Sequence, residues 1–110
     1  MRATAILLQQ RLRLTLFTRP NCSLCDDAKE VINYVGKRRP FEYEEIDVME
    51  KQQQKWKALY EFDTPVLHVD APEKQQQPFE TTTNARKLMH RFTQTELEQA
   101  ITQALQSSGQ

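Results

Sequence analysis

Leu14, Leu16 and Phe17, set among the β-branched Thr15 and Thr18, make an apolar run of the kind a core strand requires. Immediately downstream the period changes. Ala28, Val31, Ile32 and Val35 recur at i, i+3, i+4 and i+7, which is one face of an α-helix. This helix is expected to end at Gly36, a residue suited to the left-handed position after a helix, ahead of Lys37, Arg38, Arg39 and Pro40. From Phe41 to Val48 the spacing returns to two, with Phe41 and Tyr43 on one phase and Ile46 and Val48 on the other. That predicts a second strand which changes its buried face at the slip. Strand, helix and strand in this order predict a βαβ unit with a parallel strand pair.

Trp56, Leu59 and Tyr60 fall at i, i+3 and i+4 in an otherwise polar stretch and predict a short second helix with an aromatic core stripe. Val66 to Val69 read as a third strand headed by Pro65, a position where a missing N–H is tolerated. Residues 70–84 hold two prolines and a glutamine triplet without periodicity, so a mobile loop inserted into a hairpin is expected there. Leu88, His90 and Phe92 alternate with Lys87, Met89 and Arg91, predicting a last strand antiparallel to the third. Thr93 and Glu96 have capping-box spacing ahead of the stripe Leu97, Ala100, Ile101, Ala104 and Leu105, which marks the final helix. A tail over residues 107–110 is expected to fray.

Composition narrows the class. A chain of 110 residues is long enough for one modest core and one domain, placed at residues 13–106. Lys+Arg and Asp+Glu are equal at 15 each, so no global charge favours nucleic acid or an anionic membrane as partner. No run approaches the roughly 18 apolar residues of a membrane-spanning helix. The charge is nevertheless uneven: Arg2, Arg11, Arg13 and Arg19 precede the first acidic residue. Residues 1–12 therefore read as a basic extension or a short targeting segment, which sets a cytoplasmic location against a mitochondrial one.

The chemistry concentrates at Cys22-Ser23-Leu24-Cys25, on the turn between the first strand and the first helix, with Pro20 and Asn21 at the bend. At a helix start, unpaired N–H groups and the macrodipole favour an anion, and residues i and i+3 face one side. A free thiol with a pKa of about 8.5 is mostly protonated at neutral pH, whereas CxxC thiols at helix starts fall to roughly 3.5 to 7. Cys22 is thus the candidate attacking sulfur and Cys25 the resolving one, able to close a small disulfide. Arg19, three residues before Cys22, is a candidate cation beside the thiolate. Two cysteines in one such motif point to a reducing compartment rather than a disulfide-stapled scaffold. Two other readings stand beside the redox one. Cys22 and Cys25 could be half of a zinc site, with His68 and His90 as the other soft candidates, although their separation is far wider than the three to five residues of finger-type sites. They could also be an incidental buried pair.

The order β-α-β-α-β-β-α is the thioredoxin arrangement, an α/β fold with a four-stranded mixed sheet flanked by helices. The segment LTLFTRPNCSLCDDAKEVI resembles the active-site segment of glutaredoxins, with Arg19 before the first cysteine and Ala28-Lys29 after the second. Glu45-Ile46-Asp47 resembles the second strand of that family, and Asp63-Thr64-Pro65-Val66 its cis-proline segment. The match spans about Arg13 to Leu105. Ser23-Leu24 stands where Pro-Tyr is usual, Thr64 where Val is usual, and Phe92-Thr93-Gln94 where a Gly-Gly-Asp turn would dock the γ-glutamyl carboxylate of glutathione. The pattern, including His90-Arg91, is closer to a divergent group of small glutaredoxin-like proteins with a CxLC motif. The resemblance implies thiol–disulfide exchange by Cys22 and Cys25, with Arg19, Thr64 and a cis Pro65 on the substrate side. It implies no bound cofactor, with glutathione a candidate co-substrate. The expected partners are a disulfide-containing protein or a glutathione mixed disulfide, and a reductase or glutathione as electron donor, with the chain a monomer. A redox-silent binding module and an iron–sulfur protein are the alternatives in the same fold.

Overall fold

The computed structural model describes residues 12–72 and 79–108. The expected extension up to residue 11, the centre of the expected loop and the last two residues of the expected tail lie outside these. The elements in chain order are β1 (Arg13–Thr18), α1 (Ser23–Arg38), β2 (Glu42–Asp47), a 3-10 turn (Lys51–Gln53) continuing into α2 (Gln54–Tyr60), β3 (Val66–Asp70), β4 (Arg86–Met89) and α3 (Gln94–Ser108). The strands form one sheet in the order β2-β1-β3-β4. β1 runs parallel to β2, with Phe17 opposite Ile46, and antiparallel to β3, with Phe17 opposite Val66. β3 and β4 are antiparallel, as the hairpin reading predicts.

Strand alternation sends Leu14 and Leu16 of β1 to one face and Phe17 to the other. On the first face these leucines, with Leu67 and Val69 of β3, bury against Ala28, Ile32 and Val35 of α1 and against Leu97, Ala100, Ile101 and Ala104 of α3. On the second face Phe17 and Val66 bury with Val48, Trp56 and Tyr60, so α2 covers the opposite side. β2 takes part in both: Phe41, just before it, packs on the first cluster and Ile46 on the second, as its slipped spacing predicts. The core begins before β1, because Leu12 is buried and its carbonyl accepts the Glu42 N–H at 2.8 Å. At the far end Thr93 and Glu96 cap α3 reciprocally, the Thr93 N–H donating to Glu96 at 2.9 Å and the Glu96 N–H to Thr93 Oγ1 at 3.1 Å.

Some expectations need correction. α1 does not stop at Gly36 but runs through it to Arg38, and no described glycine has a positive φ. Gly36 is used for close approach: a Cβ there would lie 3.2 Å from Cζ of Phe41, which folds back over the helix. Leu59 is not part of the aromatic stripe. It is 46 % exposed, while Trp56 and Tyr60 point inward. β4 ends at Met89, because His90 takes a left-handed conformation with φ 66° and turns its ring outward, after which Phe92 returns to the core. α3 continues to Ser108, past the expected start of the tail.

Candidate active site

β1 delivers the chain to a tight turn at Pro20 and Asn21, where Asn21 adopts φ 58°, a left-handed geometry that a short amide side chain tolerates. Cys22 then occupies the N-cap of α1 in an extended conformation, and its carbonyl accepts the Asp26 N–H at 3.2 Å. Its sulfur does what an oxygen does in an ordinary cap, accepting the Cys25 N–H at 3.1 Å. One orphan donor of the first turn is therefore aimed at sulfur, at the positive end of the helix dipole. Cys25 lies one turn in, with its Cα 5.2 Å from that of Cys22, and the two sulfurs are at bonding distance. The pair is asymmetric: Cys22 is half-buried, whereas Cys25 is only 1 % exposed.

Across from the pair lies the segment between α2 and β3. Its Thr64–Pro65 bond is cis, and Thr64 Oγ1 is 3.9 Å from Cys22 Sγ. The structure therefore brings together Cys22, Cys25, Thr64 and Pro65. Arg19 holds that segment from the side, its Nη1 donating to the Glu61 carbonyl at 3.0 Å. His90 holds it from just beyond β4: its backbone N–H donates to the Pro65 carbonyl at 2.8 Å and its Nε2 lies 3.6 Å from Asp63 Oδ1. In the sequence Asp63 stands in the cis-proline motif, and His90 in the alternation of the last strand, in the His90-Arg91 motif and as a soft candidate for a zinc site. Their pairing joins positions far apart in the chain, so no local pattern signals it.

His68 is fully buried on β3 beneath the rings of Phe17, Trp56 and Tyr60. Thr81 donates its hydroxyl to Asp70 at 2.7 Å, which leaves its lone pair to accept from His68 Nδ1 at 2.9 Å. The Nε2 atom is then the acceptor for the Tyr60 hydroxyl at 2.8 Å. Burial, with repulsion from Lys87, pushes the His68 pKa down to about 4. Burial also raises the Tyr60 hydroxyl and the Asp70 carboxyl, the latter partly offset by the Thr81 hydrogen bond. Both ring nitrogens of His68 are thus committed inside the protein, while His90 is exposed and faces Asp63. Among the described residues no group of three or more His, Cys, Asp or Glu side chains is gathered as a metal would require. Nor is any described helix long and apolar enough to cross a membrane.

The family model of the glutaredoxin-like domain (DUF836) matches residues 13–102. The chain belongs to this glutaredoxin-like family. Solved structures agree on the fold. A protein from X. campestris is 22 % identical over 83 % of this chain and 97 % of its own, with a TM-score of 0.59. Thioredoxin 1 from Thermosipho africanus is 19 % identical over 89 % of this chain and 99 % of its own, with a TM-score of 0.58. A thioredoxin-like protein from Clostridium perfringens is 14 % identical over 87 % of this chain and 72 % of its own, with a TM-score of 0.64. At these identities they speak to the fold alone, a thioredoxin-like mixed sheet flanked by helices.

Proposed function

We propose that the protein is a dithiol thiol–disulfide oxidoreductase in which Cys22 attacks and Cys25 resolves. The observation that carries this reading is the asymmetry of the pair, with the sulfur of a partly buried Cys22 accepting the Cys25 N–H at the head of α1 and Cys25 buried. Such a position favours the thiolate at Cys22 and shields Cys25 until a mixed disulfide has formed.

In the reduced protein the Cys22 thiolate attacks one sulfur of a substrate disulfide. The Cys22–substrate S–S bond forms as the substrate S–S bond breaks, and the departing thiolate takes a proton from water. Cys25 then gives up its proton, attacks Cys22 Sγ and expels the second substrate thiol. Two electrons have passed to the substrate and the Cys22–Cys25 disulfide remains. The backbone at Thr64 receives the substrate segment as one added strand beside Cys22, and Arg19 steadies the turn that carries it. The substrates are a protein disulfide or a glutathione mixed disulfide, and glutathione or the dithiol of a reductase returns the electrons by the same exchange. No bound cofactor is needed.

The test is a reductase assay on a glutathione mixed disulfide and on a protein disulfide. It is run once with glutathione and its reductase and once with thioredoxin reductase as the electron source. Turnover above uncatalysed exchange in either system supports the proposal. No turnover with Cys22 reduced would leave a thioredoxin-fold binding module.

A further inference from the structure

We propose that Phe62 is the docking anchor for a disulfide-bearing partner protein, packing an apolar side chain that flanks the partner's cysteine; this rests on the oxidoreductase reading of Cys22 and Cys25. Phe62 is 87 % exposed, about twice the exposure of any other outward-facing large hydrophobic residue among those described. Single exposed apolar side chains are common, so exposure alone assigns nothing. Position and rigidity do. Phe62 lies two residues before Thr64, whose Oγ1 is 3.9 Å from the Cys22 sulfur, and two residues of extended chain reach at most about 7 Å. The exposed Phe62 therefore springs from backbone within about 7 Å of the segment beside which a substrate disulfide must sit.

The backbone on either side of Phe62 is fixed. The Glu61 N–H donates to Lys57 at 3.0 Å, the Asp63 N–H to Tyr60 at 2.9 Å, and Arg19 to the Glu61 carbonyl at 3.0 Å. An aromatic side chain with two rotatable bonds on a pinned turn gives up little freedom when it is covered, the condition under which such residues become binding hot spots. Leu59, three residues earlier and 46 % exposed, adds apolar surface nearby. A small disulfide covers Cys22 without reaching this ring. A disulfide in an extended protein segment laid along Thr64 brings its neighbouring side chains onto it.

The experiment uses the full chain and decapeptides closed by one disulfide, with Leu or Ser at each of the two positions on either side of the first cysteine. The wild type is expected to prefer Leu at one of these positions by roughly tenfold in kcat/KM, the size of discrimination one apolar contact provides. Phe62→Ser is expected to abolish the preference and Phe62→Trp to keep it. No preference in the wild type, or an equal preference in Phe62→Ser, overturns the anchor and leaves the disulfide chemistry standing. Failure of the wild type to reduce any peptide or 2-hydroxyethyl disulfide overturns the oxidoreductase reading and the anchor with it. A wild-type dimer in sedimentation that Phe62→Ser converts to monomer assigns the ring to self-association and also overturns the proposal.

Discussion

Acid should destabilise this domain through His68. Its ring is fully buried, Nδ1 donates to Thr81, and Nε2 accepts from Tyr60. Protonation would put a second N–H against the Tyr60 hydroxyl and a charge among aromatic rings, with Lys87 repelling it. The folded pKa of about 4 stands against an ordinary value of 6.5. Between these two values the unfolded chain binds a proton that folded His68 refuses. The contribution is therefore complete above about pH 6.5 and is lost as pH falls toward 4, at a cost of about 3 kcal/mol. Total stabilities run only about 5 to 15 kcal/mol, so a loss of this size is easily measured. Asp70 works the other way, since its raised carboxyl pKa makes the folded state take up a proton sooner than the unfolded chain as pH falls. Comparison with His68→Gln, which retains Asp70 but cannot titrate in this range, isolates the histidine. Urea unfolding followed by the fluorescence of Trp56, the single tryptophan, should give a wild-type stability that drops between pH 7 and pH 4 by about 3 kcal/mol more than that of the variant. Equal pH dependence in the two proteins, or a His68 imidazole that titrates near pH 6.5 by NMR, would refute the reasoning.

Other expectations are simpler to state. Cys25→Ser should accumulate a mixed disulfide on Cys22 that mass spectrometry detects, and Cys22→Ser should accumulate none; equal trapping by both would reverse or cancel the assigned roles. Thr93→Ala removes the acceptor for the Glu96 N–H and should cost about 1 kcal/mol in urea unfolding. An unchanged midpoint would mean that the capping box contributes nothing. Phe17→Ala empties the centre of the second cluster, where the ring lies 4.5 Å from Trp56 and 5.1 Å from Tyr60, and should cost roughly 3 to 5 kcal/mol. A loss below about 1 kcal/mol would mean that α2 collapses freely onto the sheet.

What could be read from the sequence was local. The β1–α1 junction, the Thr93–Glu96 cap and the stripe on α3 each announce themselves within a few residues, through a period or a capping residue. The Thr64–Pro65 segment was legible through a motif. What failed to show depended on contacts between distant residues. Gly36 looks like a helix stop until the Phe41 ring is placed over it. Leu59 fits the spacing of Trp56 and Tyr60, but the direction of burial is set by Phe17 and His68 across the sheet. His68 itself sits in a run of Val and Leu and gives no hint that Tyr60 and Thr81 will take both of its nitrogens. His90 keeps the alternation of a strand while its backbone leaves the strand, and its role as a tether to Asp63 and Pro65 depends on the β3–β4 pairing.

The two halves of the candidate site belong to different parts of the fold, and their spacing is set by the core. Cys22 follows β1, whose end is fixed in the sheet. Thr64 and Pro65 immediately precede β3, which pairs antiparallel with β1 so that Phe17 faces Val66. Pro65 therefore comes into register beside the end of β1, a few residues short of Cys22. A one-residue slip of β3 would send Val66 and His68 to the α1 face and Leu67 and Val69 to the α2 face, losing both clusters at once. The contact between Thr64 and the Cys22 sulfur is thus enforced by the burial of four side chains on β3 that never touch a substrate. The further tethers from Arg19, His90 and, through Tyr60, His68 act within that register, fixing the orientation of a segment whose position the sheet has already decided.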